Sequence, residues 1–192
     1  DNGVDKDKNG IPDFAENIVP GQVFAKDPQV ANVGANEAYV FLVVKNPIYN
    51  ISTFSEDGSI DYEADEDNLM GSWPEAFSYE VDDDWTYLSN YIYHEDEAGR
   101  DEIRYVYYYK TTLAAWEDEE EDPDITSPLF TSVKFANFSE EIVDEEDTEL
   151  VVEAYAIQAN NLPEDLTDMH DIWNALQNQY GEEIVWDGPA SV

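Results

Sequence analysis

Seven consecutive residues from Ala38 to Val44 are apolar or aromatic, and this run constrains the fold more than any other segment. It is too short to span a membrane as a helix. Its β-branched and aromatic side chains favour an extended strand. Because no polar residue alternates with the apolar ones, both faces of the strand must be covered. We therefore expect a layered fold in which Pro47 ends this strand.

Other short segments are predicted strands, and two of them, 77–81 and 85–88, alternate cleanly between apolar and polar residues, which is typical of strands with one covered face. The predicted segments are 77–81, 85–88, 91–93, 103–113, 130–138 and 150–159. Gly99 lies between 91–93 and 103–113, and we expect those two segments to form a hairpin.

One segment near the C-terminus has helical periodicity, with apolar residues every three to four positions over about 165–181. Asp165 or Thr167 can cap its start and Gly181 can end it. The sequence thus predicts a mainly β fold: a jelly-roll-like antiparallel β-sandwich with one C-terminal helix and long acidic loops. We expect a single domain over 1–192. The apolar positions of the helix are Leu166, Met169, Ile172, Trp173, Leu176 and Tyr180.

The charge of the chain excludes several partners. The chain has 46 acidic and 8 basic residues, a formal charge of −38. Disordered chains can be this charged, but 42% of these residues are hydrophobic and 14% aromatic, which is enough for a core. The charge disfavours nucleic acids and anionic membrane surfaces and favours cations.

The chain contains no cysteine, which excludes disulfides, thiol nucleophiles and thiolate metal sites. It begins at Asp1 within polar sequence and without an initiator methionine. We interpret it as a mature or trimmed part of a longer secreted product.

The most specific motif lies within the N-terminal segment 1–20, where oxygen-bearing residues alternate around a glycine at 10. Calcium takes six to eight hard oxygen ligands, so they must alternate along a loop that curls around one point. Position 7 of such a loop binds through its carbonyl, and position 12 binds through a bidentate carboxylate. The predicted calcium ligands are Asp5, Asp7, Asn9, Ile11, Asp13 and Glu16.

We expect this loop to lack flanking helices, because only four residues of this sequence precede Asp5 and Pro20-Gly21 follows closely. It resembles the stand-alone calcium loops of thrombospondin type 3 and other extracellular modules. We expect a Kd of about 10⁻⁴ to 10⁻³ M and a structural role. The alternative is a solvated turn rich in Asp and Asn.

Catalytic motifs are weak. The only histidines, His94 and His170, lack the His-Glu-x-x-His spacing of zinc peptidases. Pairs of carboxylates are uninformative among 46 acids. We predict no catalytic residue, and therefore no enzyme.

A row of tyrosines offers an alternative binding function. Tyr105, Tyr107 and Tyr109 would share one face of a strand, with Tyr108 on the other. Cross-strand packing is the simple interpretation. An exposed row would instead suggest a carbohydrate-binding or adhesive module, or a face presented to another subunit.

Two segments resemble the TasA/camelysin family of exported bacterial proteins. The first is 18–34, with Pro20-Gly21, Lys26-Asp27-Pro28 and Asn32-Val33-Gly34, continued by 38–41. Segments 129–131 and 151–159 resemble the late strands of the family. The resemblance implies a secreted jelly-roll sandwich that builds extracellular fibres of the biofilm matrix.

In such fibres, the resemblance implies that an N-terminal strand of one subunit completes a sheet of the next. Here the residues before Asn17 form a calcium-loop pattern, so a donor strand would have to precede Asp1. Camelysin-type relatives are also labelled metallopeptidases, although this sequence has no zinc motif. We expect a secreted, calcium-stabilised, self-associating structural protein of the bacterial surface or biofilm matrix.

Overall fold

The computed structural model describes residues 19–95, 100–116, 122–139, 148–160, 162–163, 166 and 168–180. Within these ranges the chain forms eleven strands, a one-turn 3-10 helix at Met70–Ser72 and one α-helix. The strands are β1 Val23–Ala25, β2 Ala31–Asn32, β3 Ala38–Pro47, β4 Thr53–Phe54, β5 Ile60–Tyr62, β6 Phe77–Tyr79, β7 Trp85–Glu95, β8 Arg100–Tyr109, β9 Asp124–Ile125, β10 Ser132–Phe135 and β11 Val151–Gln158; the helix is α1 Met169–Tyr180.

Four long strands form the central sheet, in the order β11-β3-β8-β7, and every neighbouring pair is antiparallel. The predicted central strand is confirmed: eight of the ten residues of β3 are buried, and Pro47 is its last residue. The predicted hairpin is also confirmed, since β7 pairs with β8 from Trp85↔Tyr109 to Glu95↔Arg100.

A second antiparallel sheet, in the order β1-β10-β6, covers one face of the central sheet. Side chains of both sheets share one buried cluster, in which Val40, Leu42 and Val44 of β3 lie with aromatic and aliphatic residues of the smaller sheet. Tyr79 of β6 and Tyr107 of β8 join the sheets directly, with hydroxyl oxygens 3.3 Å apart. This arrangement confirms the predicted β-sandwich.

Helix α1 covers the other face of the central sheet. Phe41 and Val43, which alternate with the residues of the first cluster along β3, lie in a second buried cluster with Ile172, Trp173 and Leu176. The covering of both faces explains why β3 lacks polar alternation. The predicted C-terminal helix is therefore confirmed, on the side of the sheet opposite the smaller sheet.

The bounds of several elements differ from the sequence-based prediction. Segments 85–88 and 91–93 belong to one strand, β7, with a bulge between Tyr87 and Ser89. The helix begins at Met169, and Asp168 caps it by accepting a hydrogen bond from the Asp171 amide at 2.9 Å. The expected caps at 165 and 167 and the ending glycine at 181 lie outside the described residues.

Part of the predicted acidic loops forms a small hairpin. Strands β4 and β5 pair around a turn that contains Gly58, whose φ of +84° favours glycine. A further two-stranded sheet joins β2 and β9. The acidic segments 117–121 and 140–147 lie outside the described residues.

Candidate functional site

The predicted calcium ligands Asp5, Asp7, Asn9, Ile11, Asp13 and Glu16 all lie outside the described residues. The calcium site therefore stays a prediction. Among the residues that the structure does describe, no group of three or more His, Cys, Asp or Glu is arranged to hold a metal ion.

The tyrosine row of β8 faces the smaller sheet. Tyr107 is buried, and Tyr105 and Tyr109 are partly buried against the same cluster. Tyr105 stacks on Tyr107 with ring centroids 6.3 Å apart, and Tyr109 lies 5.0 Å from Trp85. Tyr108 packs on the helix side, as its position in the strand predicts. The row thus forms cross-strand packing and not an exposed platform for sugars.

The row ends at the carboxylate of Glu75. Glu75 Oε1 accepts a hydrogen bond from the Tyr105 hydroxyl, and Oε2 accepts one from Asn46 Nδ2 at 2.5 Å. Burial raises the pKa of Tyr105, and the hydrogen bond to Glu75 raises it further. Burial and the neighbouring Tyr107 likewise raise the pKa of Tyr79. These phenols therefore stay neutral at physiological pH and act as packing and hydrogen-bonding groups.

The two histidines lie on different elements. His94 is near the end of β7, where its Nδ1 bonds to Asp101 on the neighbouring strand. His170 is exposed on α1. Neither histidine belongs to a group of potential metal ligands within the described residues.

Two cations lie opposite each other on the helix side of the central sheet, beyond the part that α1 covers. Lys45 of β3 pairs in register with Arg104 of β8. Each is neutralised by a carboxylate, Lys45 by Glu153 at 2.5 Å and Arg104 by Glu102 at 2.5 Å. The guanidinium of Arg104 also lies over the ring of Tyr93, 3.8 Å from its centroid, and 5.8 Å from that of Tyr91. Both cations are thus paired with carboxylates within the part of the chain that the structure describes.

A polar cleft of about 530 Å³ opens where the hairpin β4–β5 meets the smaller sheet. Lys134 and Glu56 form an ion pair of 2.7 Å across it. That contact lowers the pKa of Glu56. Glu75 also lines the cleft and accepts hydrogen bonds from Asn46 and Tyr105. Within the described lining of the cleft, Lys134, Glu56 and Glu75 each have an ionic or hydrogen-bonding partner.

The ends of the two sheets are the most distinctive surfaces. In the smaller sheet the outer side of β6 is partly closed, because Asn46 hydrogen-bonds both main-chain groups of Phe77 there. The outer side of β1 has no strand partner among the described residues, and Val23 on it is 60% exposed. In the larger sheet, β7 is an eleven-residue end strand. Sequence reasoning did not find these edges, because strand order depends on pairing between distant segments.

The chain was compared with protein-family models, curated proteins and solved structures. No family model, no curated protein and no solved structure matches this chain. In the part of the chain that the structure describes, no helix is long and apolar enough to cross a membrane.

Proposed function

We propose that this chain is a secreted, non-enzymatic structural protein of the bacterial cell surface or biofilm matrix, which calcium stabilises and which assembles with itself by strand addition. One observation carries the proposal: a three-stranded sheet lies against a four-stranded one, and its outer strand β1 has no described strand partner. An added strand at β1 would give the sandwich two sheets of equal size.

Strand addition is favourable because an end strand offers a row of main-chain donors and acceptors that water alone satisfies. The other end of the smaller sheet is closed at Phe77 by the Asn46 side chain. Growth would therefore be directional, with β1 receiving the strand. Segment 18–34 resembles fibre-forming exported proteins, and β1 lies inside that segment. The resemblance therefore also favours β1 as the edge to which the strand is added.

Calcium has a physical role in this proposal. Copies with a formal charge of −38 repel one another, and cations reduce that repulsion. The predicted loop at Asp5 to Glu16 would add a specific ion beside the segment that leads into β1. Assembly should therefore require calcium and should respond to a charge placed on β1.

The test is self-assembly of the purified protein with an intact N-terminus, including the donor strand expected before Asp1, in calcium or in chelator, followed by light scattering and electron microscopy. We expect fibres only with calcium. Val23→Lys should abolish them, because lysine on an end strand opposes strand pairing. Ile60→Lys is the matched control, because Ile60 is 58% exposed on the small β4–β5 hairpin. A protein that stays monomeric under all conditions, or fibres that Val23→Lys leaves unchanged, would contradict the proposal.

A further inference from the structure

Among the tyrosine side chains that the structure describes, two are exposed, and both belong to strand β7. Tyr87 is 52% exposed and Tyr93 is 39% exposed. An exposed phenol ring can lose an electron to an oxidant, and two oxidised rings can join into a covalent dityrosine link. The chain has 13 tyrosines and no cysteine, so no thiol of its own can reduce a tyrosyl radical. The surroundings of the two exposed rings therefore decide where oxidation leads to a link.

Tyr87 belongs to a row of tyrosine rings in contact. Its ring centroid lies 6.5 Å from that of Tyr105 and 6.1 Å from that of Tyr107. The rings of Tyr105 and Tyr107 stack at 6.3 Å, and Tyr107 lies 6.5 Å from Tyr79. These are the distances of aromatic rings that touch. Since electrons pass between touching rings far faster than two protein molecules meet, a radical formed in this row can move to Tyr87.

Tyr105 has a base at its hydroxyl group. The hydroxyl donates a hydrogen bond to Glu75 Oε1. A phenol that loses an electron becomes a strong acid, so an oxidised Tyr105 passes its proton to Glu75 and remains as a neutral radical. Tyr105 itself is only partly exposed and packs against the buried cluster. It therefore prolongs the life of the radical, while the exposed Tyr87 is the ring that another molecule can reach.

Tyr93 differs from Tyr87 because a cation lies on its ring. The guanidinium of Arg104 is 3.8 Å from the ring centroid. Loss of an electron from this ring would place positive charge directly against a positive group, which the Coulomb energy opposes. The guanidinium also covers one face of the ring. Tyr93 is thus protected from oxidation, although it lies on the same strand as Tyr87.

We propose that Tyr87 is a site of oxidative modification, at which a dityrosine link joins two copies of the chain. The oxidant is a peroxidase-type enzyme that uses hydrogen peroxide. Each of two Tyr87 phenols loses one electron and one proton, and a carbon–carbon bond forms between the ring carbons ortho to the two oxygens. The hydrogen on each joined carbon then moves to the neighbouring oxygen, which restores both phenols. The two electrons and two protons reduce one hydrogen peroxide to two water molecules.

This modification is independent of strand addition at β1. Coupling requires only that two copies meet, and salt or calcium favours such encounters by reducing the repulsion between chains with a formal charge of −38. Tyr87 lies on the larger sheet, whereas β1 belongs to the smaller one. The link can therefore form whether or not fibres grow, and the two proposals fail separately.

The test is treatment of the whole chain with a haem peroxidase and hydrogen peroxide at about 0.15 M salt, where screening limits repulsion between copies. Denaturing gel electrophoresis measures covalent dimers, and dityrosine fluorescence identifies the link. Coupling of N-acetyltyrosine amide in a parallel reaction shows that the oxidant is active. We expect dimers of the unmodified chain, loss of most of them in Tyr87→Phe and an unchanged yield in Tyr93→Phe. Phenylalanine keeps the ring but has no hydroxyl group and forms no phenoxyl radical.

Two variants of β8 test the role of the row. Tyr105→Phe removes the proton transfer to Glu75, so it should shorten the lifetime of the tyrosyl signal in electron paramagnetic resonance and lower the yield of dimers. Tyr108→Phe is the matched control, because Tyr108 packs on the helix side of the same strand. It should change neither the lifetime nor the yield.

A third variant tests the protection of Tyr93. Arg104→Gln removes the cation from its ring, so adding this change to Tyr87→Phe should restore part of the dimer yield. Circular dichroism checks the fold of each variant. Dimers that survive Tyr87→Phe, or that fall equally in Tyr93→Phe, would place the link elsewhere and overturn the inference. Absence of dimers while the free tyrosine derivative couples would overturn it as well. A radical lifetime that Tyr105→Phe leaves unchanged would contradict the role of the row.

Discussion

The side chain of Asn46 binds the main chain of Phe77 as a neighbouring strand would. Asn46 Nδ2 donates to the Phe77 carbonyl at 2.7 Å, and the Phe77 amide donates to Asn46 Oδ1 at 3.1 Å. Asn46 belongs to the central sheet and is fully buried, whereas Phe77 begins β6 of the smaller sheet. One amide thus ties the two sheets together and occupies part of the outer side of β6.

Asn46→Ala should lower the free energy of unfolding by about 3 kcal/mol, because it leaves the buried amide and carbonyl of Phe77 without their hydrogen-bond partner and removes a donor to Glu75. Urea denaturation followed by tryptophan fluorescence measures the change. Asn36→Ala, at an exposed asparagine, should change it by less than about 0.5 kcal/mol. A similar loss in both variants would show that Asn46 does not tie the sheets.

Alkaline pH should unfold the protein through its tyrosine cluster. The pKa values of Tyr79, Tyr105 and Tyr107 are all raised, first of all by burial. An unfolded tyrosine has a pKa of about 10. A raised folded pKa therefore contributes stability that is fully present below about pH 10 and is lost as pH rises further. We expect the free energy of unfolding to begin to fall above about pH 10.

Phenolate absorbance distinguishes the groups in this titration. The buried tyrosine Tyr107 and its partly buried neighbours Tyr79 and Tyr105 should ionise only together with the loss of tertiary structure. Tyr79→Phe removes one titrating group and should make the decline of stability with pH less steep. Ionisation of all tyrosines in one normal step, with the fold intact, would contradict the burial of the cluster.

Trp173 should carry much of the packing of the helix on the sheet. Its ring centroid lies 5.2 Å from that of Phe41 and 5.6 Å from that of Tyr155, and the side chain is buried. Trp173→Ala should cost about 3–5 kcal/mol through the lost contacts and the cavity that remains. Asn174→Ala, at an exposed position of the same helix, is the control. Equal melting temperatures of the two variants would show that the helix does not stabilise the sandwich.

Local pattern was sufficient for the main elements. The unbroken apolar run 38–44 predicted a strand covered on both faces, because each face requires its own apolar layer. The periodicity at Ile172, Trp173 and Leu176 predicted the helix, and all three are buried in the second cluster. The alternation of Tyr105, Tyr107 and Tyr109 with Tyr108 correctly assigned the faces of β8.

Tertiary relationships were not predictable in this way. The bulge in β7 arises from pairing with β8, so the polar residues Ser89 and Asn90 looked like a break between two strands. Nothing local distinguishes Asn46 from a surface asparagine, since its partners are 29 and 31 residues away in sequence. The free edges depend on the order of strands in each sheet. Of the predicted site, the tyrosines proved structural, and the calcium ligands remain a prediction.

The calcium loop yields the last prediction. Ligand binding to the folded state alone adds about 2.7 kcal/mol of stability at a concentration of 100 times Kd. Calcium should therefore raise the melting temperature relative to chelator, and Asp7→Ala should remove most of that rise because it deletes a carboxylate ligand. Asp27→Ala changes the net charge equally at an exposed position outside the loop, so it should keep the full rise. Magnesium should stabilise less, since it resists dehydration and demands octahedral geometry. If the rise in melting temperature survives Asp7→Ala, the loop is not the main calcium site. Calcium would then act at the acidic clusters, by screening the repulsion between their carboxylates.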